Sequence, residues 1–292
     1  MRISNSIAIN NNPTSALGGR GATGYIVDDY DPEYCWTVER VKTTETDLVL
    51  VRRSSDSAEL AFTGAEISDG TLTTWTGAND GFVVTWYNQG NAGSLDLTQA
   101  TASKQPKLVS SGVVLTKNSK PSVLFDGTDD ENSSSTQILN TVPLSFFGVG
   151  SEETSSEIGV LFSNRRAGTD LGGFNILIDR STNKYGPFFD TGSTNFIYNN
   201  SVNLNNNTLR LQTFTCNASD EGEYWRDSVS QETLTMTTTY NVGSTKTIML
   251  GGQKAGATFT NTSVSMILLW DTDETSNRTD IETDINSIYS IY

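Results

Sequence analysis

The chain contains no histidine, so any acid–base or nucleophilic chemistry would have to run through carboxylates. Ser-His and Cys-His pairs, imidazole bases and histidine-ligated metal sites are all excluded by that one count. Asp126-Gly127-Thr128-Asp129-Asp130-Glu131 gathers hard oxygen donors around a turn, the donor type that Ca²⁺ takes, with Asp126, Asp129 and Asp130 as candidate ligands. The spacing falls short of an EF-hand loop, and an acidic β-turn shaped by Gly127 is the competing reading, so no obligate cofactor is expected. Asp271-Thr272-Asp273-Glu274 reads as a solvated turn ahead of a terminal helix. Among the aromatic residues, Trp75, Trp86, Tyr224 and Trp225 could stack on sugar rings. Aromatics in a β-sandwich are mainly core, which is where Trp86 is expected. Arg52 and Arg53 would face opposite ways on a strand, and a structural ion pair with Asp56 or Glu59 is expected there.

These residues must be carried by strands. Short runs rich in Val, Ile, Leu, Phe and Thr, bounded by Gly, Asn, Asp or Ser, predict strands over Asp47–Arg52, Gly81–Tyr87, Pro121–Phe125, Val142–Gly150, Ile158–Ser163, Phe174–Ile178, Leu209–Thr215, Glu223–Ser228, Lys246–Gly251 and Ser263–Trp270. Leu209, Leu211 and Thr213 alternate with polar residues, which predicts one wet face, whereas Met266–Trp270 is continuously apolar and should lie deep. Asp31-Pro32-Glu33 suits a turn or helix start, with a short element over Glu33–Val41. The period changes near the end of the chain. Ile281, Ile285, Ile288 and Tyr292 form a helical stripe, and Thr279 with Glu282 fits a capping box, so a helix over about 277–291 is expected.

A length of 292 residues permits one large β domain. The formal charge of −15 repels phosphate backbones, and no basic run exceeds Arg52-Arg53 or Arg165-Arg166, so nucleic acid is excluded as an expected partner. Cys35 and Cys216 are either separate buried thiols or a bridge between the two halves. The N-terminus has no apolar signal core and no segment reaches membrane-span length, so synthesis in the cytoplasm without membrane insertion is expected. Asn-x-Ser/Thr triplets at Asn132, Asn217, Asn261 and Asn277 then reflect composition rather than glycosylation. Residues 1–24 are rich in Asn, Gly and Ser. They are expected to be a flexible or docking arm, with Ile3, Ile7 and Ile9 as its apolar anchors. Residues 25–292 form the expected domain.

Four motifs carry a resemblance. They are Val51-Arg52-Arg53-Ser54-Ser55-Asp56 with Ala58-Glu59, Trp86-Tyr87-Asn88-Gln89, Thr98-Gln99-Ala100-Thr101-Ala102 with Gln105-Pro106, and Lys120–Asp126 followed by Gly127, Asp129 and Asp130. In that order they resemble the front half of a concanavalin A-like (laminin-G-like) jelly roll of the kind found in phage virion proteins. More distantly they resemble the catalytic domain of one family of arabinofuranosidases. The match covers roughly residues 25 to 130. It implies an all-β, two-sheet antiparallel jelly-roll sandwich with an extended N-terminal arm and a C-terminal helix. Asn88 stands where the pattern commonly has Asp, and Asn91-Ala92-Gly93 departs from it in the loop behind, so a metal or sugar site there would have lost one charge.

A retaining glycosidase needs two carboxylates about 5–5.5 Å apart. The arabinofuranosidase resemblance implies a nucleophilic Glu near Leu161–Arg166, where this chain has none, and an acid in Asp271–Glu274, where it has candidates. The expectation is therefore not an enzyme but a virion structural protein: a fibre, decoration or tail-associated subunit, homo-oligomeric, packed against other virion subunits. Host-surface glycans would be held at Asn88, Tyr224 and Trp225. A free lectin-like carbohydrate-binding module and a glycoside hydrolase are the competing readings.

Overall fold

The computed structural model describes residues 23–93, 95–137, 142–153, 158–164, 173–179, 184–190, 195–199, 207–235, 247–253 and 258–292. Ile3, Ile7 and Ile9 lie outside them. The first half supplies helix α1 (Ile26–Tyr30), strands β1 (Tyr34–Thr37), β2 (Val49–Arg53) and β3 (Glu59–Phe62), short helices α2 (Gly64–Ser68) and α3 (Thr71–Thr76), and strands β4 (Gly81–Trp86), β5 (Leu97–Thr98), β6 (Lys107–Ser110), β7 (Val123–Asp126) and β8 (Asn132–Gln137). The second half supplies β9 (Leu144–Glu152), β10 (Ile158–Ser163), β11 (Gly173–Asp179), β12 (Lys184–Asp190), β13 (Asn195–Asn199), β14 (Arg210–Cys216), β15 (Glu221–Arg226), β16 (Val229–Thr235), β17 (Thr247–Leu250), β18 (Asn261–Trp270) and helix α4 (Arg278–Tyr289).

Every pairing between these strands is antiparallel, and they form the two layers of a jelly-roll sandwich. In the first layer β18 pairs with β1 and β7 on one side and β9 on the other, and the ladder continues through β14 and β15 to β16. In the second layer β3, β2 and β4 lead through β5 to β8, β17, β10, β11, β12 and β13, and β6 also pairs with β4. A single register pair, Leu124 with Lys107, joins the layers at β7 and β6. The inner core between them includes Trp36, Trp86, Phe125, Phe146, Phe162, Phe174, Phe214 and Tyr224.

A third layer was not legible in the strand pattern. Helices α1 and α4 lie on the outer face of the first sheet and enclose a second core of Ile26, Cys35, Phe147, Leu211, Met266, Leu268, Ile281, Ile285 and Tyr289. This explains why β18 is buried on both faces, as its unbroken apolar run predicted. It also corrects the expectation of a wet face on the strand after Leu209. All of Leu211–Cys216 is buried, because Leu209 and Leu211 meet the helices while Phe214 and Cys216 meet the inner core. Cys35 and Cys216 therefore belong to different cores and are free thiols, which settles the open pairing.

Three local expectations change. The helix near Pro32 precedes it: α1 closes at Asp31 in the left-handed conformation, and the predicted element after it is strand β1. In α4 the N-cap is Asn277 with no side-chain cap, and Glu282 is buried beneath an ion pair from Arg278 instead of capping Thr279. A capping box does exist, but at Thr63–Glu66 ahead of α2, where the side chains bond each other's backbone reciprocally. Finally, the stripe of α4 ends on Tyr289, fully buried with its hydroxyl donating to the Ser265 carbonyl, whereas Tyr292 is 52% exposed. Truncating Ile285 to Ala should cost about 3 kcal/mol in a denaturant melt, and Tyr292→Ala less than about 0.5 kcal/mol. Equal costs would contradict this seating of the helix.

Candidate functional site

Helix α4 and its leading loop do not cover the far end of the outer face. There the alternation Glu221-x-Glu223-x-Trp225 on β15 and Thr233-x-Thr235 on β16 points every second residue outward. With Thr215 from β14 and Asp273 from the loop before α4, they line a recess of about 370 Å³. Its parts are fixed from behind. Asn217 Nδ2 donates to Glu221 at 3.0 Å and Ser230 Oγ to Glu223 at 2.5 Å. The Thr215 and Thr275 hydroxyls meet at 2.7 Å, and Thr275 N–H donates to Asp273 at 3.1 Å. Ser145 pins the loop itself, donating to the Thr272 carbonyl and accepting from Glu274 N–H, both at 2.8 Å.

The recess is therefore a preformed surface of carboxylate and hydroxyl oxygens around one indole. Such a surface accepts hydrogen bonds from a polyhydroxylated ligand and repels anions. Trp225 is 5% exposed, and the Arg278 guanidinium lies 4.5 Å over its ring while also pairing with the buried Glu282. Tyr224 faces the other way. It is buried in the inner core with its hydroxyl on Gln212 at 2.9 Å, so its ring has no open face and the expected stacking role is corrected. The period-two signal in Glu221-Gly222-Glu223 and Thr233-Leu234-Thr235 is the mark of the recess in the sequence.

Asn88 lies elsewhere and is fully engaged. Its Oδ1 accepts from Cys35 and Gly90 N–H at 2.8 and 3.0 Å, and its Nδ2 donates to the Gly93 carbonyl at 2.8 Å. The last bond needs an amide, which gives a physical reason for Asn where the pattern has Asp. A Cβ at Gly90 would sit 2.4 Å from the Glu33 carbonyl oxygen, so only glycine fits this loop. Arg53 binds Asp56 through both ends of its fork, at 3.0 and 2.6 Å, as expected, and lies over Trp75. Arg52 bonds Gln105 at 2.6 Å. The Asn164 side chain is buried and accepts from Phe174 N–H at 2.5 Å. Arg165 and Arg166 lie outside the described residues.

Asp126, Asp129 and Asp130 do converge, with one carboxylate oxygen from each within 4.8 Å of the others. Much of their capacity is already used. Asp126 Oδ1 accepts from Thr128 N–H at 2.7 Å, and Asp130 Oδ2 accepts from Asp126 N–H at 3.0 Å. Three carboxylates, two of them closing their own turn, supply fewer donors than the six to eight oxygens Ca²⁺ prefers. Burial, with Asp126 adding its negative charge, pushes Asp130 up to about 7. Glu33 is also pushed up to about 7, by burial and by its hydrogen-bonded neighbour Asp271. Both acids lie outside the recess.

No family model and no curated protein matches the chain. Solved structures do. A GH54 α-L-arabinofuranosidase soaked with a cyclic sulfate inhibitor superposes with a TM-score of 0.67 at 12% identity, over 91% of this chain and 65% of that one. The E221Q mutant of a GH54 α-L-arabinofuranosidase soaked with 4-nitrophenyl α-L-arabinofuranoside gives 0.69 at 13% identity, over 91% and 65%. An arabinofuranosidase complexed with arabinofuranosyl-α-1,2-xylobiose gives 0.63 at 12%. The chain thus spans about 65% of the length of these proteins. At such identity the likeness establishes the sandwich fold that the front-half motifs implied.

The two raised acids make stability fall with pH. Asp130 and Glu33 hold their protons to about pH 7 when folded, against ordinary values of 3.8 and 4.5 in the unfolded chain. Their stabilising contribution is complete below pH 4 and disappears as pH rises through 7. Melting temperature should be lower at pH 8 than at pH 5, and Asp130→Asn should stabilise by about 2 kcal/mol more at pH 8 than at pH 5. A variant no more stable than the parent at pH 8 would contradict the burial of that carboxyl. Arg278→Ala should cost about 3 kcal/mol in a chemical melt, because Glu282 would be left buried and short of its cation.

Proposed function

We propose that the chain is a structural subunit of a phage virion, a fibre, decoration or tail-associated protein. It acts without bond cleavage, assembles non-covalently with copies of itself and other virion subunits, and holds host-surface glycans in the outer-face recess. The observation that carries the ligand half of this reading is the recess itself: Glu221, Glu223, Asp273 and four threonines around Trp225, preset by Ser145, Asn217 and Ser230. Rich in oxygens, it suits the weak single-site affinity that a repetitive particle multiplies. The assembly half rests on the four front-half motifs and their order.

Two features support binding over hydrolysis. A glycosidase acid must keep its proton near neutral pH, and the carboxyls pushed up to about 7, Glu33 and Asp130, are not among the recess residues. The stretch that the arabinofuranosidase resemblance aligns with a nucleophile carries Asn164, committed to the Phe174 backbone. A lectin-like module outside any particle is the second reading, supported by the same recess.

Intact protein on an array of bacterial surface glycans should retain specific polysaccharides, and Thr233→Trp, which fills the recess from an exposed position, should weaken retention about tenfold with the melting temperature unchanged. Mass spectrometry of purified particles should detect the chain. Release of arabinose from 4-nitrophenyl α-L-arabinofuranoside, abolished by Asp273→Asn, would overturn the non-enzymatic reading.

A further inference from the structure

The recess on the outer face of the first sheet carries charge that nothing beside it balances. Glu221, Glu223 and Asp273 line it, and among the described residues no lysine or arginine does. The donors that hold these carboxylates are neutral: Asn217 Nδ2 on Glu221, Ser230 Oγ on Glu223, and Thr275 N–H on Asp273. Arg278, which lies over Trp225, is committed to the buried Glu282. The charge is felt behind the recess as well. Burial, and after it the charges of Asp220, Asp273 and Glu221, push the Cys216 thiol up to about 12.

A second group in the recess lacks a partner of the opposite kind. Trp225 is 5% exposed, yet its indole N–H makes no hydrogen bond among the described residues. The nitrogen is not among the sealed, unsatisfied atoms, so it opens into the recess that the ring lines. An indole N–H only donates, and its missing partner is therefore an oxygen with a lone pair.

A bare metal ion meets neither demand. It offers the indole no lone pair, and the three acids are set too wide to close on it. Among the described residues the one trio of acids with oxygens within 4.8 Å of one another is Asp126, Asp129 and Asp130. The recess acids are instead spread along the sheet. Glu223 lies opposite Thr215 on one side and Thr233 on the other, and Glu221 lies opposite Thr235. At about 3.3 Å per residue, Glu221, Glu223 and Trp225 follow one another at intervals of roughly 7 Å. An extended ligand with separated groups fits that row.

We infer that the recess takes a glycan bearing free, N-unsubstituted amino sugars. An ammonium group brings three donors and one positive charge to the carboxylates, and hydrogen bonds to an ionised acceptor are roughly twice as strong as neutral ones. The hydroxyl and ring oxygens of the same sugar accept from the Trp225 N–H. N-acetylation removes the charge and two of the donors, so the acetylated form of the same sugar loses what the carboxylates offer. The inference rests on the glycan-holding half of the proposed function and names the chemical class of the glycan.

The test is calorimetric titration of the full chain with a glucosamine hexamer and with its fully N-acetylated counterpart. The free-amine hexamer should bind at least about tenfold more tightly, and its affinity should fall as salt is added. Glu223→Gln should weaken its binding about tenfold with the melting temperature unchanged. Glu232→Gln removes an equal charge from an exposed position opposite Tyr224, on the other face of the sheet, and should change affinity less than about twofold. Equal affinity for the two hexamers, or no binding of the free-amine one while bacterial polysaccharides are still retained on the array, would overturn the inference and leave the glycan-holding recess standing. Equal losses in the two Gln variants would overturn it by showing attraction to the acidic chain at large. A lysine hexapeptide bound as tightly as the sugar would also overturn it, because the peptide carries ammonium groups without sugar oxygens. Failure of both hexamers and of every polysaccharide on the array would remove the recess reading and this inference together.

Discussion

Everything in this molecule is arranged around one strand that has no wet side. Asn261–Trp270 pairs with β9 along one flank and with both β1 and β7 along the other. Its side chains divide between two cores, with Val264, Ile267 and Leu269 inward and Met266, Leu268 and Trp270 toward the helices. A strand with one solvated face would tolerate loss of the helices. This one would not, because removing α4 would expose Met266 and Leu268 together with Phe147 and Leu211. The helix in turn brings Arg278 onto Trp225 and carries the loop with Asp273, so the recess is a consequence of how the central strand is covered.

What the sequence made legible follows from that arrangement. The ten predicted strands all occur within a few residues of their expected bounds, whereas β3, β5, β6, β8, β12, β13 and β16 had no predicted counterpart. The terminal helix was readable from Ile281 and Ile285. Its packing on the sandwich was readable too; what could not be read was which strands it covers, because a strand such as β14, with leucines on one side and Phe214 and Cys216 on the other, has the alternation of a half-wet strand until something covers it. The orientation of Tyr224 against Trp225 failed for a related reason. Adjacent residues on a strand must face opposite ways, so the pair could never have formed one stacking platform. The anchors of the N-terminal arm lie beyond the described residues.

The polar residues that carried the resemblance serve the main chain. Trp86 donates its indole N–H to the Thr37 carbonyl at 2.7 Å, and Gln89 donates to the Asp47 carbonyl at 2.8 Å while accepting from Thr46. Gln105 bridges the Gln99 carbonyl and Arg52, and Gln99 accepts from Thr101 N–H. Each satisfies main-chain groups at the crowded end of the second sheet, where leaving one buried and unpaired would cost about 1–3 kcal/mol. A motif built of such bonds specifies a fold. It says nothing about a ligand, which is why the same front half can sit beneath different functions.

The same distinction separates the acidic groups. Where a carboxylate meets a cation or several N–H groups it is stabilised as an anion: Arg53 and the Ala58 N–H hold Asp56 down to about 2, and Lys107 and the Ser111 N–H lower Asp80. Where carboxyls crowd one another under cover, as at Glu33 with Asp271 and Asp130 with Asp126, one of them keeps its proton. Those crowded pairs tie strand ends and turns together, Glu33 at the entry to β1 and Asp271 at the exit of β18. The recess acids are different in kind. Hydroxyl and amide donors hold Glu221 and Glu223 from the side, so the recess presents oxygens already oriented before a ligand arrives.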